Sequence, residues 1–210
     1  MIRPILFNTE MVTAILEDRK TATRRLVKPQ PEKDMKYKHV ILVMGGAKKD
    51  HGKFGFATRE WGGRIMYARP PALVGDILYV RETWSEWTDG YVYKAWTSPF
   101  PQPGRYSDKM MIWHPSIHMP KEAARIWLKV TEVRVERLQE INGQDVLKEG
   151  INSHVHPEAN YFDGNQREMF EELWNSTIKK SELNLYGWEA NPWVWVIEFE
   201  KTGKPEGWCI

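Results

Sequence analysis

The sequence predicts an α+β protein, a small barrel-like sheet with short flanking helices. Three observations point there. Residues 193–200 alternate Trp193, Trp195, Ile197 and Phe199 against Val194, Val196 and Glu198, the pattern of a central or half-buried strand. Residues 123–138 carry a second, longer strand pattern. Helical periodicity occurs only in short stretches that do not alternate with strands, which excludes a doubly wound α/β sheet. At 210 residues and 41% hydrophobic, the chain can bury one sizeable core and is too apolar to be disordered. We expect one domain over residues 1–200, with a loop-rich insertion at about 32–71 and a tail at 201–210.

Taken in order, Ile5-Leu6-Phe7 reads as a short buried strand. Thr9 is the expected N-cap of a helix over 10–18, where Met11, Val12, Ile15 and Leu16 recur at helical spacing. Residues 19–27 then lead into a strand that Pro29 and Pro31 end. Within 32–71, hairpins are expected around Val40–Val43 and Phe54–Ala57. Gly75-Asp76 opens a strand over 77–83 with Leu78 and Val80 on one side, and Gly90 precedes another over 91–96. Three prolines make 98–104 a loop.

The strand over 123–138 runs apolar at Ile126, Leu128 and Val130, then restarts at Val133 and Val135. That slip of one residue predicts a bulge near Thr131-Glu132. A short helix follows, with Asn142 as N-cap, Ile141 and Val146 as a hydrophobic staple, and Gly150 as the stop. A further helix over 166–176 places Met169, Phe170, Leu173 and Trp174 on one face.

The single Cys209 forms no intramolecular disulfide, and no apolar run approaches a membrane-spanning length, so a reducing cytoplasm is the expected compartment. His154 with His156, and His114 with His118, are the only suggestive metal spacings. Adjacent prolines spoil both, so no metal is expected, and no nucleotide-binding fingerprint implies a cofactor. Net charge is only +2, but residues 1–53 hold 12 Lys/Arg against 6 Asp/Glu, a potential that suits phosphates or a nucleic-acid backbone.

The most chemically loaded segment is Arg19-Lys20-Thr21-Ala22-Thr23-Arg24-Arg25, four cations and two hydroxyls in seven residues. A desolvated lysine becomes a base, and a threonine hydroxyl beside a base becomes a nucleophile. Lys20 and Thr23 would point to opposite faces of a continuous strand, so shared chemistry needs a bend between them. The competing reading is a strand edge guarded by charge against aggregation.

Glu17-Asp18-Arg19-Lys20-Thr21-Ala22-Thr23-Arg24-Arg25, after a short amphipathic helix, resembles the signature of the ASCH family, whose domains have a PUA-like fold. The likeness extends to Val74–Trp84, Asp145–Ile151 and Trp193–Phe199. It is similar in detail to a phage and metagenomic branch sharing Arg81-Glu82-Thr83-Trp84 and Ser116-Ile117-His118-Met119-Pro120. Some bacterial ASCH proteins are amidohydrolases that remove the acyl group of N4-acetylcytidine. The resemblance carries their lysine onto Lys20, their threonine onto Thr23 and their glutamate onto Glu149.

On that reading, Lys20 takes the proton of Thr23 while Glu149 serves the leaving amine or a water; alternatively Glu149 activates water and Thr23 with Lys20 holds the oxyanion. Arg19 and Arg25 in the motif, with Arg81 and Glu82, are candidate substrate-binding residues, Arg81 and Glu82 reading equally well as an ion pair. Trp84, Trp87 and Trp113 offer faces for a pyrimidine, and His118 lies in a segment that could wall a pocket. The expected partner is a small nucleoside or modified base, without a membrane. The competing function is a non-catalytic RNA-binding module, and a phage assembly protein fits the compact, Trp-rich composition poorly.

Overall fold

The alternating pattern at 193–199 belongs to the strand around which the fold is built. The structure, a computed structural model, describes residues 1–41, 52–59, 63–88, 90–95, 111–151 and 164–207. In chain order its elements are β1 (Ile2–Leu6), α1 (Thr9–Leu16), β2 (Ala22–Leu26), β3 (Lys36–Ile41), β4 (Lys53–Ala57), β5 (Ile65–Ala68), β6 (Ile77–Arg81), β7 (Trp84–Trp87), β8 (Gly90–Tyr93), β9 (Trp127–Arg137), α2 (Gly143–Lys148), α3 (Gly164–Thr177), α4 (Leu183–Tyr186) and β10 (Trp193–Thr202). The architecture is mixed α+β with a sheet-rich core and a few short helices. No helix among the described residues is long and apolar enough to cross a membrane.

The main sheet runs β1-β6-β9-β10-β2, with β1 parallel to β6 and the other neighbours antiparallel. β10 is covered on both faces. Trp193, Trp195, Ile197 and Phe199 join one core with Ile5, Phe7 and Leu78, while Val194 and Val196 join a second with Leu138, Val146, Phe170 and Trp188. Opposite it, Glu198 pairs with Glu132 and Phe199 with Val130, leaving Thr131 as the extra residue of the bulge where the slip in apolar phase placed it.

The expected closed barrel is corrected. β1 and β2 are the two edges of an open sheet, with no ladder between them. The sheet nonetheless coils until the edges meet, since Arg25 Nη2 donates to the Leu6 carbonyl across the gap at 2.8 Å. Odd positions of β1 bond to β6, so Pro4 falls on the outward phase, where its missing N–H denies the gap a ladder bond.

Within the expected loop-rich insertion at 32–71, the described residues form the antiparallel sheet β3-β4-β5; the hairpin expected around Val40–Val43 falls partly outside the described residues, and Phe54–Ala57 lies in β4. Phe54 and Phe56, two apart on β4, stand edge-on to Trp195 and Trp193 at 4.9 and 5.5 Å, so this sheet covers one face of β10. The strand expected over 77–83 stops at Arg81. Trp84–Trp87 forms a separate hairpin with Gly90–Tyr93. Residues 98–104, His154, His156 and Cys209 lie outside the described residues.

Asn8, not Thr9, caps α1, its side chain accepting from the Met11 amide. At α2, Asn142 accepts from the Asp145 amide, and Ile141 and Val146 share one buried cluster. On α3, Phe170 and Trp174 are buried as expected but Met169 is exposed; Gln166 takes the inward position instead.

Gly150 closes α2 at φ +86°, and a Cβ there would lie 2.7 Å from the Ala14 Cβ and 2.8 Å from the Lys20 Cβ. Gly150→Ala should therefore lose at least the ~1–3 kcal/mol of a left-handed non-glycine residue. Urea unfolding measures it, and a loss below ~0.5 kcal/mol, the scale of an ordinary surface change, would contradict this packing.

Candidate functional site

Four local features bring the site together. α1 ends at a turn in which Asp18 has φ +60° and the Arg19 and Lys20 amides both donate to the Ala14 carbonyl. The Thr21 amide then donates to the Lys148 carbonyl, and Lys20 bridges to Glu149 as an isolated antiparallel pair. Gly150 lets the two segments approach. The bend required between Lys20 and Thr23 is thus supplied by β2 beginning only at Ala22.

Lys20 Nζ donates to Glu149 Oε2 at 2.6 Å and to the Glu149 carbonyl at 2.9 Å. Arg24 Nη1 donates to the other oxygen, Oε1, at 3.3 Å. The Lys20 side chain is wholly buried and that of Glu149 is 4% exposed. Burial lowers the Lys20 pKa from 10.5; the Glu149 carboxylate opposes this, and Arg25 and Arg24 add to the lowering.

Thr23 pairs with Ile197 and Arg25 with Trp195, which puts both on the face that packs against Phe7 and Trp195. Arg24, opposite Val196, lies on the other face with Phe170. The Phe7 ring carries Lys20 Nζ at 5.6 Å and the Arg25 guanidinium at 5.2 Å. Thr23 is buried, and the Lys20 ammonium donates to Glu149 rather than to its hydroxyl.

Two hollows adjoin this cluster. One of about 380 Å³ is lined by Glu149, Arg19, Met11 and Leu173 among others. The second, about 340 Å³, is lined by Phe7, Met11 and Arg25 with the polar side chains of Asn8, Thr83, Ser116 and Thr177. Met11 borders both.

The other sequence candidates divide. Arg19 bonds to Glu17 and to the Gly150 carbonyl, at the rim of the first hollow. Arg81 and Glu82 do not pair with each other. Arg81 donates to the Met119 carbonyl at 2.9 and 2.6 Å, and Glu82, fully buried, receives both arms of Arg125 at 2.9 Å each. Burial raises the Glu82 pKa against the pull of Arg125. Glu82 therefore ties the end of β6 to Arg125, itself stacked at 4.1 Å on Tyr93, whose phenol burial pushes up to about 12. Trp84 is buried against Met119, Ala123 and the His114 ring, with no open face for a base. Trp113 is half-buried beside Lys94, and His118 is exposed. No cluster of metal-ligating side chains occurs among the described residues.

Sequence reasoning missed the supports. Arg24 also reaches Asp145 and Glu136, each at 3.2 Å. Arg134 joins Glu132, Glu136, Asp145 and Glu198, and Lys148 holds both Glu198 oxygens at 3.1 Å. The signal for Asp145 was present: it stands four residues before Glu149, on the same face of α2.

Neither a family model nor a curated protein matches this chain. Among solved structures, an ASCH domain from Lactobacillus crispatus JV V101 superposes over 95% of this chain and 79% of its own length, at 11% identity and a TM-score of 0.40.

Glu149→Gln keeps the volume and removes the counter-charge, and an unpaired buried ammonium costs about 3–5 kcal/mol. Lys20 in the folded variant loses its proton below the 10.5 of an exposed lysine, so between those two pKa values the unfolded chain holds more protons. The deficit should thus be largest near neutrality and shrink as pH rises through the folded pKa toward 10.5. Urea unfolding of both proteins across this range tests it; a deficit constant with pH would mean that Lys20 carries no buried charge.

Proposed function

We propose that this protein is an amidohydrolase of linear amides that removes the acyl group from N4-acylated cytosine nucleosides or bases. The observation that carries the reading is the buried Lys20–Glu149 contact at 2.6 Å, with the buried Thr23 three residues along the same segment. The substrate class rests on the motif resemblance drawn from the sequence.

Lys20, its pKa lowered by burial, is the base that takes the Thr23 proton as Thr23 Oγ1 bonds to the acyl carbon. The tetrahedral intermediate collapses when the proton passes to the departing cytosine amine, leaving an acyl ester on Thr23. Water, deprotonated by the neutral Lys20 amine, attacks that ester, and the proton returns to Thr23 Oγ1 as the carboxylate departs. Glu149, held at one oxygen by Arg24 and at the other by Lys20, fixes the lysine in place. Neither Lys20 nor Thr23 lines either hollow, so side chains around them must move for an acyl group to reach Thr23.

The RNA-binding alternative draws little from this segment. All four cations of the motif engage internal acceptors: Arg19 the Gly150 carbonyl, Lys20 Glu149, Arg24 three carboxylates, and Arg25 the Leu6 carbonyl. A phosphate-gathering surface needs cations turned outward.

Purified protein incubated with N4-acetylcytidine should release cytidine, read by chromatography. Lys20→Ala and Glu149→Gln should each lower kcat/KM by about 100-fold or more, the scale of a lost proton-transfer group. In the wild type kcat/KM should rise with pH to a plateau whose midpoint lies below 10.5. Absence of turnover across acetyl, propionyl and benzoyl substrates would remove the proposal.

A further inference from the structure

An arginine keeps its charge in a protein interior, and the Arg24 side chain is buried almost completely. Three carboxylates answer it. Nη1 donates to Glu149 Oε1 at 3.3 Å, while Nη2 donates to Asp145 Oδ2 and to Glu136 Oε2, each at 3.2 Å. Its Nε is buried and has no hydrogen-bond partner among the described residues, so only the bonds at the two Nη atoms orient the fork. Asp145 and Glu149 are one helical turn apart on α2 and its C-terminal cap, and the fork spans them.

Glu149 carries one negative charge and meets two cations, Lys20 at Oε2 and Arg24 at Oε1. A guanidinium that brought both arms to one carboxylate would make the stronger, bidentate contact and compete with the ammonium. Asp145 holds the second arm away. Asp145 is itself fixed: Arg134 Nη2 lies 3.5 Å from its other oxygen, and Asn142 accepts from its amide. The surrounding charges are Glu136 and Arg134 on β9, Glu198 on β10 and Lys148 on α2, with α3 covering Arg24 through Phe170. Arg25 stands near Lys20 from the other face of β2, over Phe7, and Arg19 beside it bonds to Glu17.

We propose that Asp145 is a positioning residue for the hydrolysis: it holds one arm of Arg24 so that only the other reaches Glu149, which leaves Glu149 Oε2 to Lys20. This role rests on the hydrolase reading, in which Lys20 is the base. Asp145 also offsets the Arg24 charge that Lys20 feels, and so sets how readily Lys20 takes up a proton.

Asp145→Asn keeps an oxygen acceptor for Nη2 and removes the charge. The guanidinium fields of Arg24 and Arg134 are then less offset, which disfavours the ammonium form of Lys20. NMR of the full chain with 15N-labelled lysine, Lys20 being assigned by its loss in Lys20→Met, reads this without substrate. Lys20 should titrate lower than in the wild type by about half a pH unit or more. The midpoint of kcat/KM against pH should fall likewise, with plateau kcat down about threefold or more. KM should change little, because Asp145 lines neither hollow. Glu136→Gln removes the other carboxylate on Nη2 and should shift the midpoint the same way; it serves if a thermal melt shows Asp145→Asn unfolded. Glu132, an exposed carboxylate that meets Arg134, makes no bond to Arg24, so Glu132→Gln should leave the midpoint in place. A Lys20 midpoint that stays or rises in the folded variants overturns the role, and an equal fall in Glu132→Gln reduces it to net charge. Turnover with an unmoved midpoint removes the role alone, whereas no turnover in the wild type removes the hydrolase reading and the role with it.

Discussion

A lysine ammonium cannot be taken out of water alone, and the whole region around the start of β2 is arranged to meet that constraint. Lys20 finds Glu149 from the end of a helix far along the chain, and Arg24 holds the other oxygen of the same carboxylate. Each requirement of this contact dictates a neighbour. α1 must end early enough for the Ala14 carbonyl to receive both the Arg19 and Lys20 amides; the Lys148 carbonyl must meet the Thr21 amide; and residue 150 must be a glycine so that the chains can touch. A buried ion pair is a weak source of net stability, because desolvation opposes the attraction. What it supplies is register, since almost any other alignment of α2 on β2 strands at least one charge.

The same constraint explains how a helix as short as α2 stays formed. Six residues do not hold a helix in water by propensity. α2 has a cap at Asn142 and a staple at Ile141 and Val146. Beneath it, Asp145, Lys148 and Glu149 meet Arg24, Arg134, Glu198 and Lys20 on the sheet side. Opposite charges alternate through this layer, so no member faces only its own sign. Two of the cations in the first 53 residues, Lys20 and Arg24, are thereby paired with carboxylates that lie much later in the sequence.

This separation also marks what could be read from residues alone. Local patterns translated faithfully: the apolar slip at Thr131, the two-sided burial of β10, the cap and staple of α2. All are set by neighbours within a few positions, through the pleat or the helical turn. Long-range choices were not legible. Nothing near Arg24 says that it, rather than Arg25, takes three carboxylates, for that depends on strand parity fixed by pairing with β10. Glu82 looked like the partner of adjacent Arg81 because both end one strand, whereas alternation turns Glu82 toward Arg125. Residues 32–71 read as loop-rich with local hairpins because lysines, glycines and histidines dominate; that Phe54 and Phe56 lay their sheet on Trp195 and Trp193 depends on partners far along the chain. Barrel closure failed for a reason visible only after topology is known: Pro4 falls on the outward phase of an edge strand.

The gap between β1 and β2 and the buried pair meet at one ring. Phe7 follows β1 directly and precedes the cap of α1, so its position is fixed from both sides. Two cations lie over it, Lys20 from the buried pair and Arg25 from the gap. The ring's negative face offsets part of their mutual repulsion, and its bulk keeps water from screening what remains. Any movement of Arg25 changes the field at the Lys20 ammonium, since the two cations share this ring. Closure of the sheet by a backbone ladder would have removed that freedom. With a side chain in place of a ladder, the edges are joined at Arg25, while Lys20 and Glu149 form a separate contact.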